Sequence, residues 1–192
     1  MASTTPRGPS HTLFQLRIEL DEVDPAVWRR LLIPGQVKLA KLHLMLQAAM
    51  GWSDSHLHAF AIGELRFGLQ ADDFEDYDED EIDEASLTVK SALASADHFT
   101  YEYDFGDGWE HRITVEATLP EPAPMKFAVC LEGQNACPPD DVGGPGGYEN
   151  FLAALADPGH AEHQDYKRWI GGAFDPAEFD LGLVNILLQA IR

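Results

Sequence analysis

Two histidines separated by a single residue, His56 and His58, are the feature of this chain best suited to chemistry. On an extended strand alternate side chains share a face, so both imidazoles can grip one ion. His43 stands on the segment before them. Cys137 and Asp140, with Cys130 and Asp141 close by, lie in a Pro- and Gly-rich stretch able to fold over the pair. Nitrogen and sulfur donors of this kind are those zinc prefers. The spacing is not that of a finger or ribbon, because Cys130 and Cys137 are seven apart with no Cys-x-x-Cys. The plainer alternative has His56 capping a turn, His43 and His58 packing as amphipathic core residues, and Cys130 filling a small apolar space.

A second constellation is Asp104, Asp107 and His111. A carboxylate near a histidine can tune its pKa into the working range of an acid–base catalyst. No nucleophile stands beside them in sequence, and Asp107 is also what a tight turn prefers. A third is a recognition surface. Trp28, Trp52 and Trp109 sit near turns, Arg29-Arg30 is the strongest basic pair of the first half, and Gly143-Gly-Pro-Gly-Gly147 leads through Tyr148 into a helix. Backbone amides at such a helix start can cradle an anion. The plainer role of Gly143, Gly144 and Gly147 is to let the chain cross the tryptophans closely.

These groups need elements to hold them. Phe14, Leu16, Ile18 and Leu20 alternate with polar residues, which predicts a half-buried strand over 12–20. Asp24-Pro25 marks a turn, and 27–33 reads as a second strand closed by Pro34-Gly35. Leu39, Leu42, His43, Leu46 and Met50 recur at helical spacing, predicting a helix over 38–50 with Gly51 as its left-handed cap. Strands follow over 56–62 and 64–67, with a short edge strand over 87–89.

The long hairpin over 99–115 is expected to close through three residues, Gly106-Asp107-Gly108. That register pairs Phe105 with Trp109, Tyr103 with His111 and Tyr101 with Ile113, so that the apolar faces match. His111 is then buried beside a tyrosine, with Asp104 pointing away, and Arg112 falls opposite Glu102. Residues 125–146 read as an irregular loop. Helices are expected over 147–156 and 161–169. Asp175-Pro176-Ala177-Glu178 carries a helix start signal, and Asp180 is placed to cap a final helix over 181–191.

Strands first and helices later predict an α+β fold: a mostly antiparallel mixed sheet with a long hairpin, one helix after the second strand and a C-terminal helical cluster. Residues 1–11 read as a disordered lead-in and 12–192 as one domain. Ten of the thirteen residues from Asp72 to Glu84 are acidic. Such crowding predicts a mobile acidic surface loop over 71–85.

The formal charge of the 192-residue chain is −20. Nucleic acids are therefore repelled at long range and are not an expected partner. No apolar run is long enough to span a membrane. Two cysteines without an export signal imply reduced thiols and a cytoplasmic location.

Seven ordered motifs are together distinctive: Pro25-Ala-Val-Trp-Arg-Arg30, Leu39-Ala-Lys-Leu-His43, Met50-Gly-Trp-Ser-Asp-Ser-His-Leu-His58, Tyr101-Glu-Tyr-Asp-Phe-Gly-Asp-Gly-Trp-Glu-His111, Cys137-Pro-Pro-Asp140, Gly143-Gly-Pro-Gly-Gly-Tyr148 and Phe174-Asp-Pro. In these the chain resembles the plasmid Ri open-reading-frame-three-like family, over about residues 12–191. The resemblance implies a compact α+β domain encoded with plasmid or mobile-element genes, and it carries no established biochemistry. Relatives often have a further cysteine where this chain has Val142. A metal site that used that thiol would be one ligand short here. The resolvase label carried by some relatives finds no nucleophilic serine among arginines in this chain.

The expected function is a soluble binding or interaction module for an unknown protein or small-molecule partner. The alternatives are a metal-dependent hydrolase using His56, His58, His111 and nearby acids, with His43, His56, His58, Cys137 and Asp140 as the candidate metal ligands and zinc as the candidate ion, and an accessory protein of DNA recombination, which the charge disfavours.

Overall fold

The computed structural model describes residues 12–69, 81–120 and 123–191. One eight-stranded sheet organises them. Its strands are β1 (Thr12–Leu20), β2 (Trp28–Pro34), β3 (His58–Ile62), β4 (Leu65–Gly68), β5 (Ile82–Asp83), β6 (His98–Tyr103), β7 (Trp109–Pro120) and β8 (Val129–Gln134). The order across the sheet is β5-β4-β3-β6-β7-β1-β2-β8. Every pairing is antiparallel except β4 with β5. Five helices complete the fold: α1 (Leu39–Met50), α2 (Val89–Leu93), α3 (Gly144–Ala156), α4 (His163–Ile170) and α5 (Leu181–Ala190). The α+β class and the mixed sheet are as the sequence predicts.

The period-two pattern of β1 explains its place near the middle of the sheet. Phe14, Leu16, Ile18 and Leu20 are buried, while Arg17 and Glu19 on the opposite face pair with each other. On β2 the alternation puts Arg29 on the core face with Leu31 and Ile33, and Arg30 on the polar face with Glu116 and Glu132. Helix α1 buries Leu39, Leu42, Met45, Leu46 and Met50 in the same core. It stops at Gly51, whose φ of 105° is left-handed, as the capping argument requires.

The hairpin register differs from expectation by two residues. Tyr103 pairs with Trp109, Tyr101 with His111 and Phe99 with Ile113. The turn is therefore Asp104–Gly108, not Gly106–Gly108, and Phe105 is exposed in it. Asp104 takes a φ of 55°, and its Oδ1 accepts from the amides of Gly106 and Asp107. That local cap lets Asp104 open the longer turn in the left-handed region, and Gly108, at a φ of 68°, closes it. A shift of two preserves facing, so the aromatic side chains and His111 remain buried. Arg112 lies opposite Thr100, not Glu102, and reaches Asp21.

Other boundaries also move. The predicted edge strand over 87–89 is one bridge, Lys38 to Thr88, followed by α2. The stretch read as an irregular loop contains β8, an edge strand on β2. The Asp175-Pro176 signal yields only a turn, Asp175 Oδ1 accepting from the Ala177 amide, and α5 starts on its own cap, Asp180. The lead-in 1–11 and most of the acidic segment 71–85 lie outside the described residues. At the end of that segment the chain is ordered, with Ile82–Asp83 forming β5 and Glu84 buried.

The glycine run serves a close approach different from the expected one. It meets the hairpin turn. A Cβ on Gly144 would sit 2.3 Å from the Asp107 carbonyl oxygen, and the Gly143 amide donates to Asp107 Oδ2. Within the run, a Cβ on Gly147 would sit 2.1 Å from the Val142 carbonyl. No helix among the described residues is long and apolar enough to cross a membrane.

Candidate functional site

Helix α1 and strands β3 and β6 bring His43, His58 and Tyr101 together. The His43 and His58 rings stack with centroids 3.4 Å apart and planes 2° from parallel. Each ring holds a carboxylate: His43 Nε2 is 2.7 Å from Asp54 Oδ1, and His58 Nε2 is 2.8 Å from Glu84 Oε2. Tyr101, buried on β6, is 2.7 Å from His43 Nδ1 and accepts from Gln47 Nε2 at 2.9 Å. The Asp54 amide donates back to Gln47 Oε1.

Gln47, Tyr101, His43 and Asp54 thus form a closed ring of hydrogen bonds. Its donor order fixes the tautomer: Tyr101 donates to Nδ1, and the His43 Nε2–H donates to Asp54. Burial, and then the adjacent His58, lower the pKa of His43, so the ring is neutral at pH 7. Burial also raises the Tyr101 phenol well above its ordinary value. Replacing Tyr101 with Phe leaves His43 Nδ1 and Gln47 Nε2 unpaired. The expected result is a loss of about 1–2 kcal/mol in urea unfolding at pH 7.

The stack floors a cleft of about 690 Å³. Asp54, half exposed, and His56 stand on its wall, and Leu44, Leu57 and Leu69 form an apolar rim. The acids are not matched by a lysine or arginine among the lining residues.

The expected five-residue zinc set is not assembled. Parallel stacked imidazoles direct their in-plane lone pairs along parallel planes, so His43 and His58 cannot both aim at one ion, and each Nε2 is engaged by a carboxylate. Cys137 lies across the core in a groove with Arg29 and Phe174, its thiol pushed far up by burial. Asp140 accepts from Ser53 Oγ at 2.8 Å. His56 alone of the set joins a different trio, with Asp104 and Asp141.

Asp104, Asp107 and His111 are not brought together for catalysis either. His111 is fully buried and donates from Nδ1 to the Tyr101 carbonyl at 3.1 Å, while Asp107 receives the Gly143 amide.

The tryptophans are structural in three different ways. Trp28 lies on the polar face under Arg17, 4.1 Å from its centroid, with Arg30 5.4 Å away. Trp52 donates to the Pro138 carbonyl. Trp109 is wholly buried, as is nearly all of Tyr148, whose phenol burial raises to about 12.

Sequence reading missed Asp54, Glu84, Gln47 and Tyr101 as partners of the histidines, and Arg29 as a core residue. Alternation along β2 was the available signal for Arg29. Glu84 was masked by the acids around it.

A single sheet carrying a histidine-floored cleft between its first helix and the segment that leads into β3 defines an α+β domain of one recognisable type. The chain belongs to the family described as Plasmid pRiA4b ORF-3-like protein, whose model matches residues 12–182. It is 41% identical over 177 residues to Uncharacterized protein y4hQ of Sinorhizobium fredii (strain NBRC 101917 / NGR234), covering 91% of this chain and 89% of that protein. It is similar in structure to the Protein of Unknown Function MM3350 from Methanosarcina mazei Go1, with a TM-score of 0.79 and 29% identity over 90% of this chain and 97% of that one.

Proposed function

We propose that this protein is a binding module whose recognition site is the histidine-floored cleft, and that it takes a small cationic ligand with an apolar flank. The observation that carries this reading is the half-exposed Asp54 carboxylate beside a His43 kept neutral, under a rim of exposed leucines. Asp54 supplies a charge for an ammonium or guanidinium head, and Leu44, Leu57 and Leu69 supply area for its apolar portion. The −20 charge of the chain raises the local concentration of cations and repels polyanions, which supports a cationic ligand over nucleic acid. A cytoplasmic setting, with Cys130 and Cys137 reduced, and an origin among plasmid genes belong to the same proposal.

The test is a titration of the full chain with n-hexylamine and, separately, with hexanoate, followed by the imidazole resonances of His43 and His58. Saturable shifts with the ammonium, absent with the carboxylate and weakened at least tenfold in Asp54→Asn, are expected. Equal response to both probes, or to neither, overturns the reading.

The hydrolase alternative has one observation in its favour: His56, on the wall of this cleft, stands beside Asp104 and Asp141.

A further inference from the structure

We infer that His56, Asp104 and Asp141 form a binding site for one divalent transition-metal ion at the edge of the cleft, distinct from the zinc set expected from sequence. His56 Nε2 is 3.1 Å from Asp141 Oδ1 and 3.6 Å from Asp104 Oδ2. The three donor atoms lie within 4.8 Å of one another. Two donors each about 2.1 Å from a common ion stand roughly 3.0–3.4 Å apart at octahedral or tetrahedral angles. The 3.1 Å separation lies within that range and the 3.6 Å one just above it, so small side-chain adjustments suffice.

Two further observations favour an ion at this position. Among the described residues Nε2 of His56, sealed from solvent, has no hydrogen-bond partner: Asp104 Oδ2 stands beyond bonding distance at 3.6 Å, and the 3.1 Å approach of Asp141 Oδ1 makes no bond. Asp104 is only 8% exposed, and both hydrogen bonds it accepts from the turn amides fall on Oδ1. Its Oδ2 is left facing His56. A sealed ring nitrogen facing two carboxylate oxygens without a bond is costly unless a third body joins them.

The position is mechanically defined. Asp104 is held by the hairpin turn. Asp141 precedes the glycine run that docks on that turn through the Gly143–Asp107 bond. One imidazole and two carboxylates suit Mn²⁺, Fe²⁺ or Zn²⁺, with remaining positions left to water or a ligand. The site is independent of the cationic-ligand reading, since neither Asp54 nor the histidine stack contributes to it.

Tag-free full-length protein stripped by chelator would be titrated with Mn²⁺ alone, following loss of the free-ion electron paramagnetic resonance signal, and again in competition with Zn²⁺. One tight equivalent is expected, displaced by Zn²⁺ and weakened at least tenfold by His56→Ala and by Asp141→Asn. Asp141 is exposed, so its variant should keep the wild-type circular dichroism; Asp104→Asn serves as a third variant if it folds. Paramagnetic broadening should reach the His56 imidazole before that of His98, which lies on the exposed surface. Absence of a stoichiometric equivalent, or an equivalent unchanged in both His56→Ala and Asp141→Asn, overturns the site. The latter outcome would assign the binding to the acidic surface. Neither outcome bears on the hexylamine titration.

Discussion

Arg29→Met is expected to destabilise the fold by about 4 kcal/mol. Arg29 is 2% exposed and pairs with no carboxylate among the described residues. Its Nε donates to the Ala49 carbonyl, Nη1 to the carbonyls of Trp28 and Gln134, and Nη2 to that of Asn135. Ala49 lies in the last turn of α1, where carbonyls lack helical partners and the macrodipole is negative. The guanidinium therefore neutralises a helix end while fastening the end of β8 and its following loop to β2. Phe179 covers its face at 4.4 Å. Methionine fills much of the volume and leaves those carbonyls buried without a donor. Lysine should recover little, because an ammonium cannot address three directions from one fixed plane. Urea unfolding of Arg29→Met and Arg29→Lys at pH 7 decides this. A loss below 1 kcal/mol for the methionine variant would show the carbonyls rehydrated and the account wrong.

The second large effect is acid sensitivity from His111. Burial lowers its pKa from 6.5 to about 4. Between those values the unfolded chain binds a proton that the native chain does not, so stability falls as pH falls. The contribution is fully present above pH 6.5, declines through the window and is exhausted near pH 4. A shift of that size corresponds to about 3 kcal/mol across the window, and about 2 kcal/mol by pH 5. The lowered pKa of His43 acts in the same direction. Urea midpoints at pH 7.5 and 5 should separate clearly in the wild type and less so in His111→Leu, which is expected to be less stable at pH 7.5 but flatter with pH. An identical slope in the two proteins would remove His111 from the explanation.

How far the sequence carries depends on whether burial is one-sided. β1 and α1 were legible because each presents one apolar face, so Leu16 and Ile18, or Leu42 and Leu46, declare the period. The hairpin was legible in parity and not in length. Gly106 and Gly108 look sufficient for a three-residue turn, but Asp104 caps the turn amides itself and moves the closure back by two. β8 was hidden because an edge strand leaves Val129 and Leu131 exposed, and its surroundings are rich in Pro and Gly. Asp175-Pro176 is a sound capping signal that ends in a turn, because the chain reaches a second cap at Asp180 five residues later.

At the site, α1 and β3 bring His43 and His58 together. Their stacking was not legible, since it depends on Glu84, one acid in a run of ten, and on Asp54 at a φ of 57°. His56, Asp104 and Asp141 each stood among the residues singled out in sequence, but not as one trio, because Asp104 and Asp141 come from turns whose approach is set by glycine contacts far apart in sequence.

The pairing of β1 with β7 has a consequence for synthesis. Leu20 waits for His111, about 90 residues further along the chain. At ordinary translation rates that is on the order of 5–20 s during which a nascent N-terminal ribbon stands with its inner edge bare. The first-made hairpin thus spends its early life as an unprotected template for foreign strands, and production in the cell should reward whatever shields it until the ribosome has delivered the middle of the molecule.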